Sequence, residues 1–168
     1  MKQIELNGLL WAEKNLVIND ILVDEKNIVT NEKNLLIWEA AMDAPKSDGW
    51  RLPTIDEWDA LSDLDSTWDF EKKGRWFGPD SELLGESKQS VFLPAEGWRD
   101  DDGNMLNNEG IDGLEGIDGL EGNYWSATKE MYNDSYAHYL YFDSGHTYVA
   151  DTAYMRNGFS VRLVKDIK

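Results

Sequence analysis

The chain has 168 residues, 41% of them apolar, enough for one core of ordinary size and consistent with a single domain over residues 1–168. Its 33 acidic against 16 basic residues give a net charge of −17, which repels phosphate backbones and anionic lipid and argues against nucleic acid and membrane-surface partners. There is no cysteine, so disulfides, thiolate metal sites and thiol nucleophiles are excluded.

No apolar run approaches the roughly 18 residues of a spanning helix, and the start, Met1-Lys2-Gln3-Ile4-Glu5-Leu6, lacks the apolar stretch of a signal peptide. The expectation is synthesis in a cytoplasm without membrane insertion, leaving virion association or export by another route open. Residues 4–17 contain strand-like pieces around an Asn7-Gly8 turn, with Leu9-Leu10-Trp11 as a short buried run. Residues 21–29 are mixed, with a turn at Asp24-Glu25-Lys26-Asn27. Residues 31–44 predict a helix on the spacing of Leu35, Trp38 and Met42, stopped by Pro45.

A second helix is predicted over 54–64. Thr54 and Glu57 form a capping box, Ile55, Trp58 and Leu61 define one apolar face, and Pro53 holds Leu52 extended. Residues 65–90 read as loop. Val91-Phe92-Leu93-Pro94 is a strand, and Asp100-Asp101-Asp102-Gly103-Asn104 is a turn. Gly110-Ile111-Asp112-Gly113-Leu114-Glu115 repeats as residues 116–121, a duplication too short for a solenoid and suited to an acidic surface loop.

The remainder is β in texture. Over 136–142, Ala137, Tyr139 and Tyr141 alternate with His138, Leu140 and Phe142. Asp143-Ser144-Gly145 is a hairpin turn leading to a returning strand at Thr147-Tyr148-Val149. Residues 159–164 predict a last strand with Phe159, Val161 and Leu163 on one side. A strand, two helices and then many short strands amount to an α+β pattern.

Five segments carry a resemblance. Gly8-Leu9-Leu10-Trp11-Ala12, Trp50-Arg51-Leu52-Pro53-Thr54-Ile55-Asp56-Glu57-Trp58, Phe92-Leu93-Pro94-Ala95-Glu96-Gly97-Trp98-Arg99, Asn123-Tyr124-Trp125-Ser126-Ala127-Thr128 and Arg156-Asn157-Gly158-Phe159-Ser160-Val161-Arg162 stand in the order found in one branch of the C-type-lectin-like superfamily. That branch includes the Fibrobacter succinogenes major paralogous domain and the variable proteins of diversity-generating retroelements. It is related in fold to formylglycine-generating enzymes.

The resemblance implies a C-type-lectin-like fold, with two helices packed on an antiparallel sheet formed by both termini and a second, loop-rich β region carrying the ligand face. It also implies a ligand- or receptor-binding domain on a phage or bacterial surface, whose partner is a protein or glycan on a cell surface. A phage or surface assembly protein is the alternative, and oligomers are compatible with either. Carried over, Trp125, Ser126, Ala127, Ala137, Leu140, Phe142, Gly145, Gly158, Phe159 and Val161 are framework. The ligand contacts are then Lys129, Met131, Tyr132, Asn133, Asp134, Tyr136, His138, Tyr139, Tyr141, Asp143, His146, Tyr148, Asp151, Tyr154 and Asn157, a Tyr/Asn-rich set suited to a paratope.

Chemistry is not expected. The related enzymes work through cysteines, which this chain lacks, and no nucleophile elbow, zinc-protease or phosphate-loop motif occurs. His138, His146 and Asp143 around one hairpin are read as surface groups before a metal or acid–base site. No cofactor is expected. The superfamily's calcium-dependent sugar motifs are missing. Asp100, Asp101, Asp102 and Asn104 lack the distal Glu of a calcium loop, and Asp112, Glu115, Asp118 and Glu121 are read as solvated before ion-binding.

Overall fold

Asn7 and Gly8 both take positive φ, 55° and 75°, as a two-residue hairpin turn requires, and join β1 (Gln3–Leu6) to β2 (Leu9–Ala12). The structure, a computed structural model, describes residues 2–18, 34–86, 89–107, 119–149 and 151–167. After β2 come α1 (Trp38–Asp43), β3 (Trp50–Arg51), α2 (Ile55–Ser62), β4 (Ser66–Asp69), β5 (Gly74–Phe77), β6 (Val91–Pro94), β7 (Trp98–Arg99) and β8 (Met105–Leu106). Then follow β9 (Gly122–Lys129), β10 (Tyr136–Phe142), β11 (Thr147–Tyr148), β12 (Thr152–Tyr154) and β13 (Val164–Asp166). The mixed segment at 21–29 and most of the duplicated loop lie outside the described residues.

The α+β expectation is overturned. Among the described residues 39% are in strand and 13% in helix, and four small antiparallel sheets make the fold mainly β. In one sheet, ordered β1-β2-β13-β3, the last strand lies between two early ones. The helices do not pack chiefly on that sheet as expected: α2 packs mainly against β9, β10 and β11, and α1 against β9. The first helix is also shorter than its pattern. Residues 35–37 are buried and not helical, because the Leu36 backbone pairs with Phe159 through N–H···O bonds of 2.8 and 3.0 Å. Ala41, not Met42, faces the core, and the helix has no side-chain N-cap.

Two further expectations are corrected. Residues 65–90, read as loop, contain β4 and β5 and, with β6, form a three-stranded meander. The last strand is confined to Val164–Asp166. Residues 159–163 are buried on both sides, so their alternation does not mark a half-exposed strand.

Strands of two to four residues gain little from their hydrogen bonds alone, whereas each fully buried large apolar side chain contributes about 1.5–3 kcal/mol. Burial therefore holds the small sheets together, in two clusters on opposite faces of β9 and β10. One runs through Trp11, Trp58, Tyr124 and Phe142, with ring centroids 5.3–5.9 Å apart. The other centres on Trp125 stacked 4.2 Å from Phe159, with Trp38, Leu36, Ala137 and Val161 around them.

The capping box at Thr54 and Glu57 forms as expected. Glu57 also binds Arg51 in a two-pronged pair of 2.7 and 2.8 Å, and Arg51 reaches Asp166 on β13 at 2.9 Å. The Arg51 hydrogen bonds outweigh burial and hold the Glu57 carboxyl below its ordinary value. A depressed carboxyl stabilises the fold above its unfolded pKa and loses that contribution as pH falls through its folded one. Glu57→Gln is expected to cost about 1 kcal/mol at neutral pH, with the gap to the parent closing in acid. Thermal melts at pH 7 and pH 3 check this; a gap that is the same at both would contradict it.

Candidate ligand-binding face

The face is organised by β9. Tyr139 stands opposite Trp125 and Ala137 opposite Lys129, so residues 126–128 of β9 bulge against His138 alone. The bulge is tied down from every side. Ser126 Oγ donates to the His138 carbonyl at 2.6 Å and accepts from the Thr128 amide at 3.1 Å. The Ala127 amide donates to the Pro53 carbonyl, and Thr128 Oγ1 accepts the Ile55 amide of α2. Indole N–H groups of Trp58 and Trp38 donate to the carbonyls of Trp125 and Ser126. The Trp-Ser-Ala-Thr and Leu-Pro-Thr segments thus interlock.

The other motif segments converge on the same strand. Tyr124 Oη donates to the Pro94 carbonyl at 2.7 Å. Arg99 and Gly158 exchange backbone bonds of 2.9 and 2.7 Å, and a Cβ on Gly158 would lie 2.6 Å from the Arg99 guanidinium. Of the framework residues carried over by resemblance, Trp125, Ser126, Ala137, Leu140, Phe142, Gly158, Phe159 and Val161 are buried and Ala127 is half-buried. Gly145 is exposed in the β10–β11 turn.

The proposed contact residues separate into two groups at opposite ends of β10, about 20 Å apart at the rise of an extended strand. At the β9–β10 turn, Met131 and Tyr132 are 80% and 90% exposed, beside exposed Asn133 and Asp134. Asn133 Oδ1 accepts the Ser135 amide and so shapes the turn. Tyr136 and Tyr154 pair across β10 and β12 with rings 5.9 Å apart, and Asn157 lies in the turn after β12. Lys129 lays its ammonium over the Trp38 ring at 5.4 Å. His138 is half-buried opposite Thr152.

At the other end, Tyr141 and Tyr148 stack at 4.7 Å. Asp143 accepts Tyr141 Oη at 2.8 Å and the Gly145 and His146 amides at 2.8 and 2.7 Å. Burial pushes this carboxyl up, but those bonds outweigh it and leave it below its usual range. His146 Nδ1 lies 3.2 Å from Asp143, and the exposed Asp151 follows β11. Among the described residues no group of three or more His, Asp or Glu side chains is arranged to hold a metal. Asp100 instead binds its own turn, accepting the Asp102 and Asn104 amides.

Tyr139 differs from its neighbours. It is half-buried, its ring 4.9 Å from Phe159, and burial together with the charge of Asp151 pushes its hydroxyl up to about 12. Tyr139→Ala is therefore expected to cost about 1–2 kcal/mol of stability, and Tyr132→Ala less than about 0.5 kcal/mol. Urea unfolding of the two variants separates them; equal losses would contradict the distinction.

Two concavities bring together residues that the sequence did not connect; from the sequence Glu121 reads only as a solvated loop carboxylate. Glu121 and Asn107, bonded to each other at 2.8 Å, line a concavity of about 380 Å3 with Tyr141, Asp143 and His146. A groove of about 980 Å3 runs between the N-terminal strands and β5–β6, lined by Arg162, Glu96, Trp76 and Phe92 among others.

A family model described as the Lcl C-terminal domain matches residues 5–165, a span that contains all five motif segments. No curated protein and no solved structure matches the chain.

Proposed function

The chain belongs to the Lcl C-terminal domain family, and from that membership we propose that it is a ligand- or receptor-binding domain with no chemistry of its own, displaying its contact surface between residues 125 and 162. The supporting observation is the division of that segment. Trp125, Ser126, Phe142, Gly158 and Phe159 are buried beneath the face, while Met131, Tyr132, Asn133, Asp134, Tyr148, Asp151 and Tyr154 are exposed on the turns and on β11 and β12. Rigid backbone under exposed tyrosines suits recognition, because Tyr brings contact area at low rotamer cost.

The partner is a protein or glycan on a cell surface, and the setting is a phage or bacterial surface. Diversification by a retroelement fits the same division. A neighbouring reverse transcriptase gene with a near-copy of the codons for residues 125–162 would support it. A glycan and cell-surface protein screen with the parent, Tyr132→Ala and Tyr148→Ala tests the binding reading. Hits weakened by at least one variant, with melting unchanged, are expected; no hit, or hits indifferent to both, would overturn it.

Exposed Met131 and Tyr132 favour one second reading, an assembly protein that uses this protruding turn as a subunit contact. Light scattering of the parent and Tyr132→Ala distinguishes it: oligomers lost in the variant support assembly through this turn.

A further inference from the structure

The β10–β11 end of the sheet joins exposed aromatic surface to concentrated negative charge. Tyr141 and Tyr148 stack, and the Tyr148 side remains 43% exposed. Glu121 and Asp143 flank Tyr141 in the concavity beside them. Asp151 is close enough that its charge acts on both Tyr139 and Tyr148. Two basic side chains are close. Arg75 is buried beneath the turn and donates to the Asp143 carbonyl, and His146 bonds Asp143. Arg75 offsets part of the charge from the buried side, while the outer side is lined by carboxylates, phenol rings and the exposed His146.

Resting on the binding reading above, we propose that this end of the face docks a basic segment of a protein partner. A lysine or arginine side chain lies along the Tyr141–Tyr148 stack, with its charge toward Glu121, Asp143 and Asp151. The complementarity is twofold. Ring faces attract cations through their quadrupole, and the adjacent carboxylates set the sign and steer the approach. The other end of β10 also carries a ring pair, Tyr136 and Tyr154, and the carboxylate of Asp134, but Lys129 supplies a positive charge there that opposes a cation. Specificity for the cation therefore belongs to the β10–β11 end.

The test is fluorescence anisotropy of the full chain with a labelled ten-residue peptide of alternating lysine and serine, in low and in moderate salt. The peptide is expected to bind, more weakly as salt rises. Tyr148→Ala, and separately the pair Glu121→Gln/Asp151→Asn, are expected to weaken it by about threefold to fivefold. Glu5→Gln/Glu82→Gln, two exposed carboxylates on β1 and on the short 3-10 turn after β5, remove the same charge elsewhere and are expected to change it less than about twofold. Equal weakening by both pairs would reveal diffuse attraction to an acidic protein and overturn the proposal, as would no binding. Neither outcome touches the broader reading, which the screen decides: an uncharged ligand lost with Tyr148→Ala would keep the binding face and remove its preference for cations.

Discussion

Trp125→Ala is expected to lower stability by about 4 kcal/mol and the melting temperature by on the order of 10 °C. The indole is fully buried and stacked 4.2 Å from Phe159, and its Nε1 donates to the Leu36 carbonyl at 2.7 Å. Truncation opens a cavity between β9 and the strand-like segment at 159–163. It also leaves the Leu36 carbonyl, already in a buried segment, with one bond fewer. Trp58→Ala is expected to act similarly through the other cluster, since Trp58 packs on Trp11 and Tyr124 and donates to the Trp125 carbonyl. A melting temperature unchanged by either replacement would show that β9 is not the wall on which both clusters are built.

Arg162→Ala is expected to cost about 3 kcal/mol or more, read as a shift of the urea midpoint at constant slope. Arg162 is 1% exposed, and its Nε and Nη1 donate to Asn15 Oδ1 at 2.8 Å and to the Ala12 carbonyl at 3.0 Å. Asn15 in turn donates to Tyr124 Oη, which donates to the Pro94 carbonyl. Burial disfavours the charged guanidinium, opposed by the nearby Tyr124, Glu96 and Glu13. The side chain thus joins the segment after β2, the strand β9 and the end of β6 through one polar chain in an apolar setting. Arg162→Lys keeps the charge but not the forked geometry, and is expected to recover only part of the loss. A loss under about 1 kcal/mol for the alanine variant would mean that the acceptors find other donors.

Much of the local structure was readable in the residues. Asn7-Gly8 announced a turn between strand-like pieces and Thr54 with Glu57 announced a helix start, because turn and cap chemistry depends on neighbours a few residues apart. The alternation over 136–142 also holds: Ala137 and Tyr139 approach the Trp125 cluster, and Leu140 and Phe142 the Tyr124 cluster. The errors arose where distant pairing overrode local pattern. Leu35, Trp38 and Met42 have helical spacing, yet Phe159 takes the Leu36 backbone into an extended bridge. Ser66–Asp69 and Gly74–Phe77 lack apolar alternation and become strands because β6 is there to continue their sheet.

The contact residues show the same boundary. The sequence alone determined the acidic balance, the missing thiols, the turns, the capped helix and a tyrosine-rich final third, all properties of composition or of near neighbours. Only the tertiary structure decided which tyrosines are free. Tyr139 leans on Phe159 while Tyr148 stays open, Glu121 arrives beside Tyr141 from the segment before β9, and the contact residues divide between two ends of β10. Those outcomes depend on register across strands and on which side chain fills the space beneath, and neither is encoded within any one segment.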